Sequence, residues 1–278
     1  MEAIFYSYWN FLNRPAPPSS ITTGIQALPN VVRDTLLLIA FFSVIYVIIT
    51  PIASAILKDK FSALPRRKKH ELPSYILCLI HHFVAVPVAW YHIYNDFNLT
   101  GEAALTIDYA PITATIAPWC IAYLVTDMMF FAVPEALVGK FEYSIHHILT
   151  LFLVVSSLFA PGSILRFIPH LLISDTTNIF FNTAWLIRLL GGKGSLLLQS
   201  LEMMFALSFF FIRVINMPSM FWVLGSQCEG LGFAKYCLAP IAAMQWYWFY
   251  KIVRIIVIRS VNPDSAADTS STPKKKVA

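Results

Sequence analysis

The sequence predicts an all-α fold: a polytopic membrane bundle of about seven transmembrane helices around an intramembrane cavity. Three observations lead there. The 278 residues are 58% apolar and only 13% charged, against about 45–50% and about 25% in soluble domains; mean hydropathy is +0.66. A soluble globule of this size must present a largely polar surface, which this composition cannot supply. The apolar residues fall in runs of the length a helix needs to cross a bilayer, about 20 residues. Strand-like alternation, the mark of a membrane barrel, is absent. The same arithmetic excludes a disordered chain, a coiled coil and a disulfide scaffold. A net charge of +5 without any basic domain gives no nucleic-acid partner.

The first element, residues 1–33, is a lumenal, interfacial segment. Ile4, Phe5, Tyr6, Tyr8, Trp9, Phe11 and Leu12 stop at Arg14-Pro15, and Trp and Tyr prefer the bilayer interface. Residues 34–260 are the seven-helix membrane domain. Its first span lies in the 23 uncharged residues between Asp34 and Lys58, its second in the 24 between Glu71 and Asp96. The remaining spans are expected at 112–131, 143–160, 164–187, 195–217 and 236–258. The first is too long and too late for a cleaved signal peptide. Pro87 and Pro218 are expected to kink or end helices. Residues 261–278 are polar and expected to be a disordered cytosolic tail.

Basic residues in short loops set orientation. With the loop carrying Lys58, Lys60, Arg66, Arg67, Lys68 and Lys69 in the cytosol, Lys140, Arg188, Lys193, Arg259 and Lys274 to Lys276 fall on the same side. Only Arg14, Arg33, Arg166 and Lys235 face away. The N-terminus is then lumenal and the C-terminus cytosolic. Asn98-Leu99-Thr100 is a glycosylation sequon in a loop this topology places in the lumen. Lys275 and Lys276 resemble the di-lysine signal that coat proteins read for retrieval to the endoplasmic reticulum. Cys228 and Cys237 flank the last lumenal loop, as a disulfide in that oxidising compartment or as two free thiols. Cys78 and Cys120 fall within spans, where cysteine behaves as a small apolar residue.

Ionisable groups inside a bilayer cost about 2.5–3.5 kcal/mol each, so they are candidates for function. They are His81, His82, Asp127, His146, His147, His170, Asp175 and Glu202, joined by uncharged Asn178, Asn182 and Gln245. Asp175, Asn178 and Asn182 share one helix face, which Trp185 continues; Tyr123 shares a face with Asp127. Adjacent His146 and His147 point about 100° apart. In the expected topology these groups converge on a cavity open to the cytosol, where a soluble activated donor meets a lipid arriving from the bilayer. His170 and Gln245 read as structural hydrogen-bonders between helices.

With these residues in place, the chain resembles the TLC-domain family, which includes the ceramide synthases. The likeness runs from about Lys68 to Arg254. Thr126-Asp127 looks like that family's Tyr-Asp position, and His146-His147-Ile148-Leu149-Thr150 matches its His-His motif. Residues 175–185 match a Glu-x-Ser-x-x-Phe-x-Asn-x-x-Trp pattern, with Asp175 for Glu and Thr177 for Ser. Arg213 and the stretch from Trp246 to Lys251 resemble the ends of its later spans. The resemblance implies residence in the reticulum membrane and a role in membrane-lipid, sphingolipid or fatty-acyl homeostasis. In ceramide synthases the His-His motif serves acyl transfer from acyl-CoA to a sphingoid amine. Carried over, His146 or His147 is nucleophile or general base, oriented by Asp175 first and Asp127 second. Asn178, Asn182, Trp185, Tyr123, Glu202 and His82 are then substrate-binding. Membrane lipids and acyl-CoA, as co-substrate, are the expected ligands; no metal and no further cofactor is expected. Ceramide synthases carry His-Asp-x-Ser-Asp where this chain has Leu171-Leu172-Ile173-Ser174-Asp175. In that respect it is similar to the small TLC-domain-containing proteins, which leaves a non-catalytic lipid-binding regulator or trafficking receptor as the alternative.

Overall fold

A computed structural model of the protein describes residues 22–98, 110–159, 167–192, 194–227 and 236–261. Every element among them is helical. Helix α1 is Thr22–Leu57, succeeded by a single turn, α2, at Asp59–Ser62, and by α3 at Arg66–Asn98. Helix α4 covers 110–137 and α5 is Phe141–Ser157. Helix α6 covers 167–189, α7 covers 196–227, and α8 is Leu238–Val261. Five segments are long and apolar enough to cross a membrane: Leu28–Leu57, Arg66–Asn95, Ile116–Leu137, Leu196–Gly225 and Leu238–Ile258. The chain is thus a polytopic helical membrane protein. The fourth and fifth expected spans correspond to α5 and α6. At 17 residues, α5 is about 25 Å long, short of a hydrocarbon core of about 30 Å. A 3₁₀ turn at Ile173–Asp175 interrupts α6.

The distribution of polarity is the reverse of a soluble protein's. Leu36, Leu37, Val44 and Val47 on α1 and Trp246, Tyr250, Ile255 and Val257 on α8 are exposed. Glu71, His81, His82, Asp127, His147, Asn182, Arg213 and Gln245 are buried. Such a surface suits hydrocarbon, and the interior satisfies the polar groups that lipid cannot. Apolar clusters hold the rods together. Phe42 and Tyr46 of α1 pack with Leu77 of α3 and Ala122 and Leu124 of α4. Met220, Phe221 and Leu224 of α7 pack with Leu153 of α5 and Leu238 and Ile241 of α8.

Local irregularities aim the site. Met128–Ala132 in α4 and Phe209–Asn216 in α7 are π-helical; such wide turns recur at functional sites. The first begins directly after Asp127, and the second carries Arg213. Pro134 and Pro218 lie just beyond them, inside continuing helix. Neither has an N–H to offer the carbonyl four residues back. Those carbonyls take side chains of other helices: Tyr46 Oη donates to Phe130 O at 3.2 Å, and Trp246 Nε1 to Val214 O at 3.4 Å. Of the two expectations for Pro218, a kink or an end, the helix does not end there; it continues through the proline with a π turn directly before it. At the α6–α7 turn, Gly191 adopts a φ of 92°, which favours glycine, and Ser195 Oγ caps α7 by accepting from Leu198 N at 3.2 Å.

Candidate functional site

The helices enclose a cavity of about 610 Å³. The turns at 58–65, 138–140 and 190–192 gather at one end of the bundle, here the basic end. Polar residues line the cavity in two tiers. At 1.5 Å of rise per residue, the shallow tier lies roughly 8–15 Å from the basic end and most of the deep tier roughly 18–26 Å, with Asn182 joining it from roughly 11 Å.

The shallow tier is built on His147. Its Nδ1 lies 2.8 Å from Tyr143 O; a carbonyl only accepts, so Nδ1 carries a proton and donates. Its Nε2 lies 3.0 Å from Asp127 Oδ2, in ion-pair contact rather than a well-aligned hydrogen bond. Ser74 Oγ donates to Asp127 Oδ1 at 2.5 Å. The Nδ1 of His147 is therefore committed to Tyr143, and its Nε2 faces Asp127. His146 is the opposite case. Its ring meets Trp248 edge-to-face at 5.2 Å and stands at 89° to His147, and its buried Nδ1 has no protein partner. His146 lines the cavity.

The deep tier is built on Arg213, 3% exposed. Its Nε donates to Thr177 Oγ1 at 2.8 Å and Ser174 O at 3.1 Å. Its Nη1 donates to Gln245 Oε1 at 3.1 Å, and its Nη2 to Asn178 Oδ1 at 3.1 Å and Asp175 Oδ1 at 3.5 Å. Because Arg213 only donates, Asn178 must turn its oxygen toward it. The Asn178 Nδ2 then donates to Asp175 Oδ1 at 3.1 Å. The other carboxylate oxygen of Asp175 lies 3.4 Å from His82 Nε2. Cys78 Sγ lies 3.2 Å from His82 Nδ1 and accepts from Asn182 Nδ2 at 2.9 Å. His81 is buried with its Nδ1 unpartnered, stacked on Tyr123 at 4.1 Å. Tyr123 stands between the tiers, its ring 5.7 Å from His82 and 6.4 Å from His147.

The matching family model is that of the TLC domain, over residues 71–254. The chain belongs to the TLC-domain family. Among curated proteins none matches the chain. The TLC domain holds every member of both tiers, from Ser74 to Gln245, and leaves out α1, which forms one wall of the bundle.

The expected residues distribute unevenly over this TLC domain. His82, Tyr123, Asp127, His146, His147, Asp175, Asn178, Asn182 and Glu202 all line the cavity. Trp185 does not; it packs on Tyr75 at 4.1 Å with Lys68 Nζ 4.9 Å from its ring. The order of the carboxylates is also reversed: Asp127 reaches the His-His motif, and Asp175 serves His82. Toward the basic end, Glu202 pairs with Arg188 and Glu142 with Lys251 at 3.3 Å. Gln245 is the partner of Arg213, as a structural hydrogen-bonder should be. Ser74 escapes the sequence reading, and Arg213 and Cys78 enter it without a role in the site. Arg213 is legible only as a lone charge deep in its span, and Cys78 only as the residue one turn before His82. His81, His82 and Asp175 bring ligand atoms within 4.8 Å of one another, the spacing of a metal site, but the Arg213 guanidinium already supplies the cation on Asp175. Leu99 and Thr100 of the sequon, Cys228, Lys275 and Lys276 lie outside the described residues.

Proposed function

We propose that this TLC-domain protein acts in membrane-lipid homeostasis in the endoplasmic reticulum, by transferring a fatty acyl group from acyl-CoA to a lipid amine. The observation that carries the reading is His146: an imidazole on the wall of a cavity large enough for an acyl chain, beside a histidine that faces Asp127. His146 acts as general base. It takes the proton from the lipid amine as the nitrogen attacks the thioester carbonyl. The C–N bond forms, the C–S bond breaks, and the departing CoA thiolate receives the proton. His147, its Nδ1 held by Tyr143 and its Nε2 turned to Asp127, positions His146 and does not itself take the proton. Charged pairs at the basic end, with Lys251 and Arg188 among them, suit a polyanionic donor arriving from the cytosol. The same end is the cytosolic one in the topology set by the basic loops.

Purified protein supplied with sphingosine and a panel of acyl-CoAs tests this. N-acyl product is expected, with a fall of about 10²-fold or more in His146→Ala. No product, or product unchanged in His146→Ala, overturns it. One observation favours the second reading, a non-catalytic lipid-binding regulator. Both aspartates are saturated by protein partners, as in a cavity built to bind. Lipid retained through purification, together with no turnover of any acyl-CoA, would establish that reading.

A further inference from the structure

We propose that Cys78 is a protein nucleophile of this cavity, activated by His82 and Asp175, and that it takes the acyl group from acyl-CoA as a thioester. The proposal rests on the acyl-CoA reading above for its donor, but on different residues. Its basis is a three-part arrangement that activated nucleophiles require: a nucleophile within hydrogen-bond reach of a base, and the base oriented by a third group. Cys78 Sγ lies 3.2 Å from His82 Nδ1. His82 Nε2 lies 3.4 Å from Asp175 Oδ2. Cys78 and His82 are four residues apart on α3, so one helix face presents both. Asp175 comes from α6 and is held in place by Asn178 and Arg213.

Three further features suit a reactive sulfur rather than a packing one. Cys78 is half-buried and lines the cavity, so a ligand there meets it. Asn182 Nδ2 donates to the sulfur at 2.9 Å, which fixes the sulfur beside the His82 ring. His81, three residues along the same helix, is 2% exposed, and its Nδ1 has no partner. His81 also lines the cavity, so its ring borders the space a thioester would occupy.

The step balances without another reactant. The Cys78 thiol proton passes to His82 Nδ1, and the sulfur attacks the thioester carbonyl carbon. A new C–S bond forms to Cys78 as the C–S bond to CoA breaks, and the proton on His82 goes to the departing CoA thiolate. One thioester replaces another.

The test is the full-length protein in detergent, incubated with palmitoyl-CoA and then assayed by intact mass and peptide mapping. One acyl group is expected on the Cys78 peptide, removable by neutral hydroxylamine. It should disappear in Cys78→Ser, fall at least about ten-fold in His82→Gln, and persist in Cys120→Ala, the buried cysteine of the same cavity. Should Cys78→Ser fail to fold, alkylation of the wild-type protein replaces it: prior palmitoyl-CoA must protect Cys78 from iodoacetamide. An unacylated Cys78 peptide, acylation indifferent to His82→Gln, or unprotected Cys78 overturns the proposal. Cys78 acylation without N-acyl product overturns only the transfer to an amine. N-acyl product with no acylated Cys78 overturns only the role of the thiol.

Discussion

Arg213 shows how one side chain organises a site from inside a membrane bundle. Its guanidinium joins α6, through Ser174, Asp175, Thr177 and Asn178, to α8, through Gln245. Removing one partner of a buried ion pair strands the other, at about 3–5 kcal/mol. Arg213→Met should therefore lower stability by that amount in thermal unfolding. Adding Asp175→Asn should restore part of the loss, a non-additivity that a double-mutant cycle reads directly. At the shallow tier Asp127→Asn removes the ionic partner of His147 while keeping its shape. Turnover should fall about 10²-fold, with a smaller change in melting temperature than Arg213→Met produces. Asp127, His146, His147 and Asp175 are legible in the sequence as lone ionisable groups in apolar runs. Which carboxylate meets which histidine is not, because that choice is made across helices distant in sequence.

At the scale of elements, apolar runs disclose the rods, and polar exceptions blur two of them. Helix α5 falls short of an ordinary span in length, at 17 residues, and a 3₁₀ turn breaks α6 at Ile173–Asp175. The π turns leave no mark that an apolar count could register. Each inserts extra backbone where Asp127 and Arg213 must turn inward, and each sits against a proline whose missing N–H makes the irregular ladder less costly. Deleting Ile212 should convert the second into regular helix. The deletion takes out the wide turn that carries Arg213 inward, and should cost as much thermal stability as Arg213→Met. Ser195→Ala removes the side chain that caps α7. A loss of about 1 kcal/mol, with acyl transfer intact, is the expected result.

Over the whole molecule, the exposed apolar faces and buried charges require a bilayer. The basic loops predict which way it is crossed: Asn98 should carry a glycan in microsomes, and the C-terminal tail should stay open to protease added outside them. Trp185 is the residue that this larger view reassigns. It lies on the polar stripe of α6, yet in three dimensions it belongs to the packing between α3 and α6. The two tiers have a further consequence, for alignment. Greasy rods slide past one another at little cost, since one apolar contact resembles the next. Asp127, His147, Asp175, Arg213 and Gln245 hang from five successive helices, α4 to α8. A slip of one turn, about 5.4 Å, in any of these rods would leave a buried polar group facing hydrocarbon. The interior chemistry thus works as a vernier: it admits one setting of the bundle and makes its neighbours expensive.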